Sequence, residues 1–278
     1  MLRSAFILSV MVVAALVGVP LQWLSLKLGL PLRRLVPLWF HRLVLALLGV
    51  KVTMRGVPAA ERPLLLVSNH ASWLDIPVLS SITPLMFVAK SEIAAWPLFG
   101  LFAKLQRSVF VDRARRHATA EVNREIASRL AGGDPVVLFG EGTSSDGNQV
   151  LPFRSALFGA MQEALDAGGR GYVQPVSIAY THLHGVPMGR QHRAVAAWYG
   201  DAALLTHLAR VFREGAIDVT VSFGPAHAIT PGADRKHLAR ATEAAVRRMT
   251  VAALAGKAEI EAPQGLEGEG VPFPAESR

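Results

Sequence analysis

A histidine and an aspartate five residues apart are the first residues in the sequence whose types and spacing could do chemistry. His70 lies just beyond the apolar run Leu64–Val67, which predicts a buried strand, and α/β proteins place their sites where such strands end. If a helix begins near Ile76, the carboxylate of Asp75 can reach back to one imidazole nitrogen and leave the other free to accept a proton. The pair therefore predicts a general base that is oriented by a carboxylate.

The sequence offers no separate nucleophile that would complete a triad with this pair. It has no cysteine and no Gly-x-Ser-x-Gly elbow, and nothing marks Ser72, between the two partners, as activated. The simpler prediction is direct transfer, in which the base deprotonates an alcohol and that oxygen attacks an acyl thioester. Two alternatives stay open: a hydrolase with a serine nucleophile, and a polar loop whose histidine caps a helix.

A glycine-rich loop follows a second apolar strand. The strand predicted at Pro135–Phe139 leads into Gly140-Glu141-Gly142-Thr143-Ser144-Ser145-Asp146-Gly147. Backbone N–H groups in such a tight loop can hold an anion or an oxyanion, and Glu141 can hydrogen-bond a polar acceptor. The alternative is a turn that binds nothing. The loop is not a P-loop, because no Gly-Lys-Ser/Thr follows.

His182 and His184 have the His-x-His spacing of a metal site, and in a strand both would lie on one face. No third ligand is apparent, and a chain without cysteine has no thiolate zinc site or iron–sulfur cluster. A polar loop is therefore the favoured interpretation, and we expect neither a metal nor a cofactor.

The composition favours a lipid environment over nucleic acid. Hydrophobic residues make up 51% of the 278 residues, and the mean hydropathy of +0.33 is high for a soluble enzyme. A formal charge of +8 favours an anionic partner. The sequence has no zinc-finger spacing and no basic run interleaved with aromatic residues, so we expect a membrane surface and no nucleic acid.

Residues 1–50 are predicted to form membrane-anchoring helices. Residues 5–19 carry no charge, Leu35–Val50 is a second apolar stretch, and three basic residues lie between the two: Lys27, Arg33 and Arg34. The first stretch is borderline for a bilayer span, and Pro20 would bend it. A cleaved signal peptide, a transmembrane helix and an embedded anchor stay open for it, and a core helix stays open for the second stretch.

Beyond Gly49, short apolar runs alternate with helical stretches, which predicts an α/β domain over residues 51–255 with a central mixed or parallel sheet covered by helices. The predicted strands are Leu64–Ser68, Leu85–Ala89, Val109–Val111, Pro135–Phe139, Tyr172–Ala179, Val195–Tyr199 and Ile217–Phe223. The predicted helices are His117–Ala131, Ser155–Ala167, Ala202–Arg213 and Asp234–Ala255. Residues 256–278 are predicted to be a loose tail.

Together these residues resemble the glycerolipid acyltransferase family, whose best-known type is the 1-acylglycerol-3-phosphate acyltransferase. Four segments resemble the family's blocks in the family's order: Asn69–Asp75, Ser108–Arg113, Phe139–Thr143 and Val173–Val176. The resemblance covers roughly residues 35–224. Four ordered blocks at compatible spacing are specific, whereas any one of them alone would not be.

The resemblance implies a role for each matched residue. His70 would be the general base and Asp75 its orienting partner. The acceptor site would include Arg113, Glu141, Gly142, Thr143, Ser144, Asp146 and Pro175. The acyl donor would be an acyl carrier protein thioester or a coenzyme A thioester, with membrane lipids as partners. The family also implies the cytoplasmic face of a bacterial inner membrane, while the oligomeric state stays open.

Three departures from the family's pattern bear on the acceptor. Ser144 stands where the family commonly has an arginine that holds the acceptor phosphate, and Gly140 replaces a proline. Arg107 stands in place of a glycine and is the candidate to restore the missing positive charge. The stretches Glu141–Arg154 and Thr181–His192 resemble the lyso-ornithine lipid branch of the family. We therefore favour lyso-ornithine lipid, whose amine Asp146 could meet, over lysophosphatidate as acceptor; a membrane-binding protein without activity is the remaining alternative.

Overall fold

A computed structural model describes residues 2–111, 118–159, 165 and 170–257 of the chain, with the side chains of 118–123 left aside. Two helices come first, α1 at Leu2–Lys27 and α2 at Leu32–Leu48. The strands are β1 Val50–Arg55, β2 Leu64–Ser68, β3 Met86–Lys90, β4 Val109–Val111, β5 Val136–Phe139, β6 Gly171–Leu183, β7 Val186–Pro187, β8 Ile217–Phe223 and β9 His227–Ile229. The later helices are α3 Asp75–Ile82, α4 Phe99–Leu105, α5 Ala118–Ala131, α6 Leu204–Glu214 and α7 Arg235–Leu254. Short 3-10 helices lie at Ser91–Ala95, Ser155–Phe158 and Arg190–Val195.

The strands form one mixed sheet in the order β1-β8-β6-β2-β5-β3-β4, with β7 and β9 also paired to β6. The central strands β6, β2, β5 and β3 run parallel, whereas β8 is antiparallel to β6. Because β2 and β5 are parallel and Ser68 pairs with Phe139, the loops that follow these strands emerge side by side at one edge. The predicted α/β fold with a covered sheet is confirmed.

The sheet is covered on both faces because its central strands are apolar on both sides. Along β2, Leu64 and Leu66 join one core with α1, α2, α3 and α6, while Leu65 and Val67 join the other core with α5 and α7. All five residues of β2 are buried. A continuous apolar run is the expected pattern for a parallel strand with helices on both faces.

Helix α1 lies along the domain because both of its ends are bound to it. Near its start, Arg3 donates hydrogen bonds to the carbonyls of Phe212, Arg213 and Leu48, at the ends of α6 and α2. Near its end, the buried Gln22 donates to the carbonyls of Arg33 and Leu105. The outer side of the helix is nevertheless bare, with exposed Phe6, Val12, Val13, Leu16, Val17 and Trp23.

Within the described residues, α1 alone has the length and hydropathy to cross a membrane. The mean hydropathy of its best 18-residue window is 2.4, and 6% of that window is buried. Nearby, Leu35 and Trp39 of α2 and Leu98 and Leu101 beside and within α4 are also exposed. The N-terminal apolar helix that the sequence predicts is therefore present.

The predicted elements differ from the structure in several places. The strand predicted at Val195–Tyr199 is wrong: a 3-10 helix ends at Val195 and no strand follows, because Ala196 and Ala197 are buried in a core cluster without pairing to the sheet. The edge strand β1 was not predicted, although Val50, Val52 and Met54 alternate with polar residues as in a half-buried strand. The helix predicted at Ser155–Ala167 begins as a 3-10 helix at Ser155–Phe158, and most of its remainder lies outside the described residues. The predicted tail also lies almost wholly outside them.

Candidate active site

The His70 and Asp75 side chains meet as the spacing predicts. His70 follows the end of β2, and Asp75 is the first residue of α3, so the tight turn between strand and helix brings the two together. Nδ1 of His70 lies 2.7 Å from Oδ2 of Asp75. This contact assigns the proton of the neutral ring to Nδ1 and leaves Nε2 as the nitrogen that can accept a proton.

Asp75 is fully buried and is held by four donors. Its Oδ2 accepts hydrogen bonds from His70 and from the backbone N–H groups of Ala71 (2.7 Å) and Ser72 (2.9 Å). Its Oδ1 accepts the hydroxyl of Tyr180 at 2.6 Å. Burying a carboxylate costs free energy unless it is well hydrogen-bonded, and these four donors meet that requirement.

Asn69 fixes the loop against the neighbouring strand β6. Its Nδ2 donates to the carbonyl of Ile178 at 2.9 Å, and its Oδ1 accepts the N–H of Ile178 at 2.8 Å. The side-chain amide of Asn69 thus continues the hydrogen bonding between β2 and β6 beyond the end of β2. Tyr180, two residues further along β6, is thereby placed on the same side as Ile178 and reaches Asp75.

Aromatic stacking sets the plane of the His70 ring. The ring lies against Phe139 at the end of β5, with centroids 4.0 Å apart and an interplanar angle of 20°. Phe139 in turn stacks on Phe87 of β3 at 5.9 Å. The His70 side chain remains 20% exposed, so one edge of an otherwise fixed imidazole is open to a substrate.

Glu141 lies buried beside the His70 backbone. Its Oε1 accepts the N–H of His70 at 3.4 Å, whereas its Oε2 has no partner among the described residues. Burial raises the pKa of Glu141 from 4.5 to about 8, against the lowering effect of the backbone N–H groups of His70 and Leu151. Near neutral pH this side chain is therefore largely a neutral carboxyl, which can donate as well as accept a hydrogen bond.

The packing of Phe153 explains why glycine replaces proline at Gly140. A Cβ at Gly140 would lie 2.6 Å from the Phe153 ring, so any larger residue would overlap it. The N–H of Gly140 also donates to the carbonyl of Ser68 at 2.9 Å, which extends the pairing of β5 with β2. A proline would lose this hydrogen bond as well as clash.

The rest of the glycine-rich loop is partly open. Gly142 is buried with a φ of 68°, a conformation that favours glycine, while Thr143 is exposed and Ser144 half-buried. Ser145 attaches the loop to the predicted base, since its N–H donates to the carbonyl of His70 at 2.8 Å. Asp146 is half-buried and accepts the backbone N–H of Asn148 at 2.9 Å. The structure therefore brings Glu141 to Asp146 next to His70.

A third segment, residues 188–198, packs over both loops and was not foreseen as part of the site. The N–H of Trp198 donates to the carbonyl of Ala71 at 2.7 Å. The buried Arg193 donates to Oδ1 of Asn148 at 2.6 Å and to the carbonyl of Met188 at 3.0 Å. Two signals in the sequence bear on this segment: the stretch Thr181–His192 resembles the lyso-ornithine lipid branch, and the apolar run around Val195 predicts a strand.

Two predicted acceptor-site residues, Pro175 and Arg113, still rest on the family resemblance. Pro175 is buried within β6 and pairs with Val67 of β2, so it contributes to the strand that carries Tyr180. Arg113 lies outside the described residues, and its predicted role stays a prediction. Both remain candidates from the resemblance alone.

Arg107 does not replace the missing phosphate-binding arginine. Its Nη1 pairs with Oδ2 of Asp134 at 2.6 Å, just before the amino end of β5, and Arg34 pairs with the other oxygen of Asp134. His70 lies at the carboxyl end of the parallel strands, so Arg107 is at the opposite edge of the sheet. The expectation that it compensates for Ser144 is therefore wrong.

The two histidines of the His-x-His pair separate. Nδ1 of His182 contacts the hydroxyl of Thr181, whereas His184, at a φ of 53°, turns towards Glu214 at 3.5 Å. A group of three or more side chains able to hold a metal is not present among the described residues.

Comparison with known proteins decides the family. Residues 49–179 match the acyltransferase family model. A lyso-ornithine lipid O-acyltransferase from Brucella abortus is 49% identical over 263 residues, which are 94% of this chain and 98% of the relative. The chain belongs to the acyltransferase family. The family and the enzyme class predicted from the four blocks are thereby confirmed.

Two further relatives of this acyltransferase carry different names. A lyso-ornithine lipid O-acyltransferase from Rhizobium meliloti is 45% identical, covering 98% of this chain and 92% of the relative. A 1-acyl-sn-glycerol-3-phosphate acyltransferase from Neisseria meningitidis is 35% identical, covering 65% of this chain and 67% of the relative. A crystal structure of a 1-acyl-sn-glycerophosphate acyltransferase from Thermotoga maritima has a TM-score of 0.63 at 24% identity, covering 91% of this chain and 94% of that one. That likeness supports the fold.

Proposed function

We propose that this acyltransferase moves a fatty acyl group from an acyl thioester to the hydroxyl of lyso-ornithine lipid. The observation that carries the proposal is the contact of 2.7 Å between His70 Nδ1 and the buried carboxylate of Asp75. It leaves Nε2 as the base, on a ring whose orientation is fixed and whose edge is open.

In the proposed reaction, Nε2 of His70 removes the hydroxyl proton while the acceptor oxygen attacks the carbonyl carbon of the thioester. The new C–O bond forms, the C–S bond breaks, and the imidazolium returns its proton to the departing thiolate. Asp75 stabilises the imidazolium in between. Ser72 is fully buried and its hydroxyl accepts the N–H of Leu74 at 3.3 Å, which supports direct transfer without an acyl-serine.

Lyso-ornithine lipid is the favoured acceptor for two reasons. The Brucella and Rhizobium relatives that cover more than nine-tenths of the chain carry that name. In addition, Ser144 offers no positive charge where the family commonly has the phosphate-binding arginine, and Arg107 lies at the far edge of the sheet. Lyso-ornithine lipid has no phosphate, so the lack of this contact does not weaken its binding.

The apolar surface of α1 supports a position in the membrane interface. Because Arg3 and Gln22 bind both ends of α1 to the domain, the helix cannot stand away from it as a simple span. Helix α2, which packs against α1, adds the exposed Leu35 and Trp39. We therefore place α1 flat in one leaflet, at the cytoplasmic face of the bacterial inner membrane, where His70 can reach a lipid hydroxyl.

The distribution of charge supports a soluble anionic donor. Helix α7 packs on the sheet face opposite α1, and five of its arginine and lysine residues are exposed to solvent: Arg235, Lys236, Arg240, Arg247 and Arg248. Positive charge away from the lipid-facing helices suits an acyl chain carried by the acidic acyl carrier protein or by coenzyme A. Both thioesters are therefore proposed donors.

The proposal is tested by competition between acceptors. Purified enzyme in phospholipid vesicles would receive labelled acyl carrier protein or coenzyme A thioester together with equal amounts of lyso-ornithine lipid and lysophosphatidate. We expect label chiefly in ornithine lipid, and a preference for lysophosphatidate would overturn the acceptor assignment. Ser144→Arg should increase the use of lysophosphatidate, whereas the matched control Ser144→Ala should not.

A further inference from the structure

A buried arginine lies beside the active-site loops with no carboxylate at ion-pair distance among the described residues. Arg193 is 8% exposed, and its two terminal nitrogens donate only to neutral acceptors, Oδ1 of Asn148 and the carbonyl of Met188. Its Nε has no partner in the described part of the chain. A buried guanidinium is costly when its charge is not balanced, so this position favours a nearby anion.

Three further residues join Arg193 in one cluster at the surface. Asn148 connects them: its Nδ2 donates to Oδ2 of Asp146 at 2.9 Å and to the carbonyl of Arg190 at 3.3 Å. Burial lowers the pKa of Arg193, the nearby guanidinium of Arg190 lowers it further, and the carboxylate of Asp146 raises it. The headgroup cluster, which comprises Asp146, Asn148, Arg190 and Arg193, thus holds two cations and one anion. Arg190 is exposed, so its guanidinium is available to a ligand.

Both loops of the headgroup cluster are attached to the loop of the catalytic base. Ser145, next to Asp146, donates its N–H to the carbonyl of His70 at 2.8 Å. Trp198, at the end of the segment that carries the arginines, donates its N–H to the carbonyl of Ala71 at 2.7 Å. The two loops that carry the cluster therefore contact the backbone of the catalytic loop at His70 and Ala71.

We propose that the headgroup cluster binds the zwitterionic amino-acid headgroup of the acceptor lipid, with Arg190 pairing with its carboxylate and Asp146 with its ammonium. The inference rests on the proposed function, because it assigns the groups that distinguish lyso-ornithine lipid. Six bonds separate the reacting hydroxyl oxygen from the carboxylate carbon, about 7 Å in an extended chain. When the hydroxyl of this acceptor reacts at His70, its headgroup must therefore lie close to His70.

The presence of both positive and negative side chains in the headgroup cluster also gives specificity for the acceptor lipid. A carboxylate would balance the excess positive charge of Arg190 and Arg193, and an ammonium would balance Asp146. A phosphate headgroup would also attract the two guanidinium groups, but it has no cation to offer Asp146, and that carboxylate would repel it. The cluster thus favours the zwitterionic headgroup through the ion pair at Asp146.

The test replaces the exposed arginine, because substitution of the buried Arg193 would also endanger folding. Arg190→Gln should raise the KM for lyso-ornithine lipid about tenfold or more while kcat stays nearly unchanged. Arg190→Lys should recover part of the loss. Arg170→Gln, an exposed arginine just before the amino end of β6 and so at the opposite end of the strands from His70, is the matched control and should behave as the wild type. An unchanged KM in Arg190→Gln would overturn the inference.

A modified acceptor identifies the group that Arg190 meets. The methyl ester of lyso-ornithine lipid lacks the negative charge, so it should show the raised KM with the wild type and no additional loss with Arg190→Gln. Losses that multiply would place the carboxylate elsewhere and overturn the inference. In either of these contrary cases the wild type still acylates lyso-ornithine lipid, so the proposed function stands. A wild type that does not acylate it at all overturns both.

Discussion

The hydroxyl of Tyr180 donates a hydrogen bond of 2.6 Å to Oδ1 of Asp75, the carboxylate whose other oxygen holds His70. Tyr180 is fully buried, and burial together with the Asp75 charge raises its pKa well above the ordinary value, so it remains a neutral donor. The imidazole is therefore positioned by a chain of contacts that begins in β6, 105 residues further along the sequence than Asp75.

Tyr180→Phe should destabilise the protein by about 1–3 kcal/mol, because one donor to a buried carboxylate is lost. It should also lower kcat about tenfold, less than Asp75→Asn, which removes the orienting carboxylate and should cost about 10²–10⁴-fold. Initial rates and thermal unfolding of the purified variants measure both effects. Tyr172→Phe, on the same strand, is the control, since the Tyr172 hydroxyl makes no hydrogen bond in the described residues. A wild-type rate in Tyr180→Phe would show that this contact has no part in positioning His70.

Gly140→Ala should destabilise the fold by about 1–3 kcal/mol, because the added methyl group would overlap the Phe153 ring. The double variant Gly140→Ala/Phe153→Leu should recover part of the loss, since the smaller side chain leaves room. Chemical unfolding in detergent measures these differences. Gly18→Ala is the control, because a Cβ there meets nothing within 4 Å. If the double variant is no more stable than the sum of its single changes, Phe153 is not the reason for glycine at this position.

The stability of the wild type should fall as the pH rises from 4.5 to 8. Burial raises the pKa of Glu141 from 4.5 to about 8, so in this window the folded protein keeps a proton that the unfolded chain has released. Because the folded state binds more protons, its free energy of unfolding decreases with rising pH. Glu141→Gln, which cannot ionise at this position, should not show this loss of stability with rising pH.

The difference in free energy of unfolding between wild type and Glu141→Gln, measured across that pH range, isolates the effect. It should grow in favour of the variant up to about pH 8 and then level off. Glu125→Gln, an exposed residue on α5, controls for the loss of a surface charge. Parallel curves for wild type and Glu141→Gln would mean that Glu141 ionises normally in the folded protein.

The parts of the site that lie close together in sequence could be predicted, because local spacing determines them. His70 and Asp75 are joined by a single turn between strand and helix, and the glycines around Glu141 mark a tight loop. Tyr180 could not be predicted, since its contact depends on the register of β6 against β2 and on Asn69 continuing the ladder. A tyrosine in a strand carries no local sign of such a partner.

The same reasoning explains the errors in the fold. The apolar run Val195–Tyr199 looks like a strand because burial, whatever its cause, selects the same residues. Its backbone instead turns to bond the catalytic loop, as the contact from Trp198 to Ala71 shows. The omission of strand β1 has a different cause. Its Val50, Val52 and Met54 alternate with polar residues, but Val50 also ends the apolar stretch Leu35–Val50, so the strand is hidden by the helix that it follows directly.

Replacing His70 tests the central claim most directly. His70→Ala should fold and associate with vesicles like the wild type, because the ring is partly exposed and α1 is untouched, yet the rate of acyl transfer should fall at least about 10²–10⁴-fold. The measurement is transfer of labelled acyl groups from carrier-protein and coenzyme A thioesters to lyso-ornithine lipid, with vesicle binding and thermal unfolding recorded on the same preparations. Transfer near the wild-type rate by a folded, vesicle-bound His70→Ala would contradict a mechanism in which this imidazole is the base.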